Sequence, residues 1–89
     1  MEPVKINFTI DYEKKIEKLN SDLTLIVGYS KISTNPDKYQ IDARVLSRDP
    51  LTQELETQIK QIIPETYPYE KEEFPVRLEF SGLGKLLQQ

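Results

Sequence analysis

The sequence predicts an α+β two-layer sandwich built on an antiparallel sheet, and three observations carry that prediction. Runs of apolar residues with period 2 recur at Val4–Ile10, Tyr39–Val45 and Val76–Phe80, as expected for strands with one buried face. Between them Leu51, Leu55, Ile59, Ile62 and Ile63 recur at helical spacing. The chain has 89 residues, enough for one core and too few for two domains of ordinary size.

Val4, Ile6, Phe8 and Ile10 alternate with Lys5, Asn7 and Thr9, which predicts a first strand. Asp11 is then a candidate cap for a short helix whose apolar stripe is Tyr12, Ile16 and Leu19. After Asn20-Ser21-Asp22, the β-branched and apolar stretch Leu23–Ile32 predicts a second strand with apolar residues on both faces, and Gly28 within it marks a candidate bulge. Ser33-Thr34-Asn35-Pro36-Asp37 is a dense turn signal, so this strand and the Tyr39–Val45 strand should form a hairpin.

Asp49-Pro50 resembles an N-cap followed by proline in the first helical turn. The second helix should end near Ile63, because Pro64 disfavours helical backbone in the residue before it. Residues 64–75 show no regular period and are expected to be a loop, followed by the last strand at Val76, Leu78 and Phe80. One domain over residues 1–81 and a short C-terminal tail at 82–89 follow from this reading.

The element order strand, helix, strand, strand, helix, strand resembles that of the ferredoxin-like βαββαβ sandwich, a fold-level likeness shared by many unrelated functions. It implies two helices on one sheet face and an open, polar face of mixed sign opposite. The alternative is a ββ-meander sheet packed on a single long helix, with residues 11–20 a turn.

Composition narrows function mainly by exclusion. Cysteine is absent, which removes disulfides, thiolate nucleophiles and Cys-based metal sites. Histidine is absent too, and with it the commonest general base near neutral pH and the commonest metal ligand. Asp11 with Glu13, or Glu70 with Glu72 and Glu73, are carboxylate groupings that read better as a cap and solvated charges than as a site. Ser81-Gly82-Leu83-Gly84-Lys85-Leu86 lacks the spacing and the Ser/Thr of a phosphate-binding loop. No cofactor and no metal are expected, and the chain is read as non-enzymatic.

The net charge is −3, from 12 basic and 15 acidic residues, and the excess negative charge lies in the second half. Such a balance disfavours nucleic acid and anionic membranes as main partners. No window approaches the ~18 apolar residues of a membrane span, so a soluble, cytoplasmic protein is expected.

What remains is a protein-interaction or regulatory module: an adaptor, an inhibitor or an accessory subunit. Its candidate contact residues are Tyr67, Tyr69, Glu70, Glu72, Glu73 and Phe74 in the acidic aromatic loop. Leu83, Leu86 and Leu87 in the tail form a second apolar cluster that would seek a partner or another copy of the chain. A sheet edge offers a third route, by adding a partner strand. Two alternatives stand beside this. One is nucleic-acid binding on the open sheet face through Lys5, Arg44 and Arg77. The other is a subunit whose enzymatic or ligand site is completed by another protein.

Overall fold

A computed structural model describes residues 2–82. The α+β class holds, with two helices and a four-stranded sheet among the described residues. The ferredoxin-like order is not confirmed. The chain runs α1 (Glu2–Leu19), β1 (Thr24–Ser33), β2 (Lys38–Ser47), α2 (Gln53–Ile62), β3 (Thr66–Tyr69), β4 (Glu72–Gly82), in sheet order β1-β2-β4-β3. The sheet is mixed: β1/β2 and β3/β4 are antiparallel hairpins, and the central pair β2/β4 is parallel.

The largest correction is at the start of the chain, where the expected first strand is helical. Val4 and Phe8 are buried, and with Tyr12, Ile16 and Leu19 they form one stripe of i, i+4 and i+3 steps along α1. The other half of the alternation, Ile6 and Ile10, falls on the opposite side of the helix and is 53% and 67% exposed. A period-2 pattern is therefore also two helical stripes, and here only one of them is buried.

Local bonds support the helix in a stretch of poor propensity. Pro3 sits in the first turn, where a missing N–H costs nothing. Near the helix start the Lys5 N–H donates to the Tyr29 hydroxyl at 2.6 Å, tying α1 to β1. Asn7 Nδ2 donates to the Pro3 carbonyl and Thr9 Oγ1 to the Lys5 carbonyl, at 2.7 and 2.9 Å. Asp11, expected as a cap, lies inside this longer helix and is exposed.

β1 and β2 agree with the reading from sequence. Leu25, Val27, Ile41, Ala43 and Val45 point into the core. The β1 register irregularity lies between Lys31 and Ser33 instead of at Gly28, which pairs regularly with Asp42. α2 is capped by Thr52, whose Oγ1 accepts from the Leu55 N–H at 3.1 Å, and not by Asp49. Ile59 and Ile63 are buried, and the helix ends at Ile63 as expected from Pro64.

Residues 64–75 are not an irregular loop. They hold β3, a two-residue turn at Glu70 and Lys71, and the start of β4. The prolines had masked a period-2 run in which Phe74, Val76, Leu78 and Phe80 share the inner face, with Tyr67 and Tyr69 beside them on β3. Proline is tolerated here because β3 is an edge strand, and the Val76 N–H finds the Glu65 carbonyl at 2.8 Å. β4 includes Gly82, which pairs with Ser47. Both helices contribute to a single core under one face of the sheet, and no other described element covers the opposite, open face.

Candidate functional site

The acidic aromatic segment separates into two parts once folded. Tyr67 and Phe74 are buried and Tyr69 is half-buried, so the aromatics complete the core instead of standing out as anchors. Tyr67 packs edge-on against Phe8 and Tyr12, with ring centroids at 5.1 and 6.1 Å, and donates to Asp11 Oδ2 at 2.6 Å. Burial, and secondly the bond to Asp11, push the Tyr67 hydroxyl well above its ordinary pKa; burial and the nearby Asp11 charge raise that of Tyr12. Both hydroxyls stay protonated at neutral pH, and that of Tyr67 fastens β3 to α1. Glu70, Glu72 and Glu73 remain exposed around the turn, beside a shallow groove shared with Pro3, Val4 and Lys71.

Leu83, Leu86 and Leu87 lie outside the described residues.

The three basic residues of the nucleic-acid reading are not brought together. Lys5 is on α1, on the covered side of the sheet, whereas Arg44 and Arg77 are paired strands apart on the open face. Both arginines donate to one carboxylate, Glu79, each at 2.8 Å, and these bonds hold the Glu79 carboxyl below its usual range. Asp42 lies on the same face, accepting from Ser30 and from Gln40. The open face is thus a closed set of ion pairs and hydrogen bonds, with little free positive charge to offer phosphate.

No group of acidic side chains suited to a metal ion occurs among the described residues, and every buried side-chain polar atom there has a partner. No described helix is long and apolar enough to cross a membrane.

The sequence offered a sheet edge as one route without saying which strand, and the outer edge of β1 is the long one. Among the described residues β1, a ten-residue strand, pairs with no strand but β2. Thr24–Ser30 carries no charge and no proline. Ile26, on the open face of this strand, is 48% exposed, and next to it Gly28 has nothing within 4 Å of the position a Cβ would occupy. Together they make a knob and a notch in a shallow groove floored by Asp42, Arg44 and Glu79. The opposite edge is different: β3 has four residues, one of them Pro68. Short edges with proline resist pairing, while long uncharged ones invite it. The signal was present in the sequence as the strand with apolar residues on both faces and a central glycine. No protein-family model, no curated protein and no solved structure matches this chain.

Proposed function

We propose that the chain is a non-enzymatic protein-interaction module that receives an extended segment of its partner on the β1 edge. The observation that carries this reading is the outer side of β1 at Thr24–Gly28, which no other described strand pairs, uncharged and carrying the exposed Ile26. Main-chain hydrogen bonds from an added strand would supply affinity, and the Ile26 and Gly28 relief would supply register. The absence of histidine, cysteine and a carboxylate cluster supports a binding role over a catalytic one.

Selection of binders from a displayed random-peptide library, followed by amide chemical-shift mapping, tests it. Selected peptides should perturb the amides of Thr24–Ser30, and Ile26→Lys should weaken them at least tenfold with the fold intact. Perturbation confined to the turn at Glu70–Glu73 would sink the edge reading.

A further inference from the structure

We infer that the gap between the first residues of β2 and β4 receives an arginine side chain from a partner polypeptide, an inference that does not rest on the β1 edge. Both strands start before they pair with each other: β2 begins at Lys38 and β4 at Glu72, yet their ladder begins at Ile41 and Val76. Pro75 explains the delay. The Val76 N–H bonds the Glu65 carbonyl on the β3 side, so by alternation Pro75 turns its backbone toward β2, where it has no N–H to donate. Before this point in the chain the two strands stay apart, and residues of both line a cleft of about 330 Å³.

The lining suits a long side chain with an apolar stem and a flat cationic head. Ile32, which is 48% exposed, joins Tyr39, Phe74 and Pro75 in giving the cleft apolar walls. Glu72 and Glu73 also line it, both exposed and with no ion pair among the described residues. As neighbours on one strand they leave β4 on opposite faces, so a carboxylate is available on either side of the gap. Lys38 is the basic residue in the lining, and Asp37 is already held by Lys31 at 3.4 Å. Two open carboxylates against one ammonium leave a negative charge to be matched. A guanidinium matches it best, because its planar fork can bond two acceptors at once and stack on flat apolar surfaces.

The chain already holds one cation in this manner beside the cleft. The Lys31 ammonium lies 5.9 Å from the centre of the Tyr39 ring as well as against Asp37. The cleft offers the same two chemical groups, a ring and a carboxylate, to a cation that a partner supplies. It also shares Glu72 and Phe74 with the shallow groove that reaches Pro3, so the chain carrying the arginine has a surface along which to lie.

Amide chemical-shift titration of the intact chain tests this with two end-blocked pentapeptides, Gly-Leu-Arg-Leu-Gly and its citrulline analogue, which keeps the shape and loses the charge. The arginine peptide should shift the amides of Tyr39 and Phe74 with a Kd of order 1 mM. The citrulline peptide should bind about fivefold more weakly. Glu72→Gln combined with Glu73→Gln should weaken the arginine peptide by about fivefold. Glu13→Gln combined with Glu17→Gln removes the same charge from exposed positions on α1 and should leave binding unchanged. No shift at about 10 mM peptide, equal binding of the citrulline peptide, or equal weakening by the α1 pair overturns the inference. End-blocked arginine alone, if it binds as tightly as the peptide, overturns the polypeptide as the source. Shifts confined to Thr24–Gly28 overturn it too, and leave the β1-edge reading standing.

Discussion

Tyr67 on β3 donates its hydroxyl proton to Asp11 on α1 at 2.6 Å, across 56 residues of sequence. The bond pins the edge hairpin to the first helix, and the Phe8 and Tyr12 rings close around it. Because burial raises the Tyr67 pKa, the folded chain keeps this proton at pH values where the unfolded chain releases it. Stability from this group is complete below the ordinary tyrosine value of 10.0 and declines as pH climbs above it. Tyr67→Phe should cost about 0.5–1.5 kcal/mol at pH 7 through loss of the hydrogen bond. It should also flatten the decline above pH 10. Urea unfolding at neutral pH and at about pH 11 measures both; an equally steep alkaline loss in the variant would show that Tyr67 is not its source.

The two stripes of α1 make opposite predictions for residues that a strand would have treated alike. Phe8 is fully buried, and Phe8→Ala should cost about 3–5 kcal/mol. Ile10 is 67% exposed, and Ile10→Lys should change stability by no more than about 0.5 kcal/mol. Equal, large losses at both positions would mean that Val4–Ile10 is a strand with one buried face after all.

That pair of residues also shows what sequence could and could not reveal. Alternation of Val4, Ile6, Phe8 and Ile10 fits a strand better than a helix by local propensity, and only long-range packing decides against it: Phe8 reaches Tyr67, far along the chain. Where the pattern had a single reading, as for β2 and α2, elements and buried faces were legible. Pro68 and Pro75 hid the β3/β4 hairpin, because proline counts against a strand until its place is known: Pro68 lies on the edge strand β3, and Pro75 just before β4 begins to pair with β2. The same hairpin turned Tyr67 and Phe74 from surface candidates into core. Edge position also governs the β1 surface, and strand order cannot be read from periodicity at all.

On the open face, Glu79 is the shared partner of Arg44 and Arg77, and its pKa is lowered by the Arg44 bond first and the Arg77 charge second. A depressed carboxylate stabilises the fold at pH values above its unfolded pKa and loses that contribution as pH falls through the folded one. Glu79→Gln should therefore reduce the loss of stability on acidification. It should also release two guanidinium groups at once. The native chain is expected to pass through a single-stranded RNA column at about 0.15 M salt, and the variant to be retained at low salt and eluted as salt rises. Retention of the native chain at that salt, equal to the variant's, would show that Glu79 does not neutralise this face.

Glu70 occupies the first turn position between β3 and β4 with φ of +57°, where a Cβ is disfavoured and glycine is not. Its carboxylate is exposed and has no ion pair given to it by the fold's salt bridges among the described residues. Replacing it therefore removes strain without removing a contact. Glu70→Gly should stabilise the chain by about 1 kcal/mol, since relief of the left-handed backbone outweighs the added freedom of the unfolded state. In a domain of this size that corresponds to a rise of roughly 4–8 °C in Tm. Because this turn joins β3 to β4, on the side of the sheet away from the β1 edge, the substitution should leave the β1 amide shifts at their native values. Thermal unfolding and amide spectra on the same sample separate the two effects. A fall in Tm would mean that the Glu70 side chain contributes more than its backbone costs.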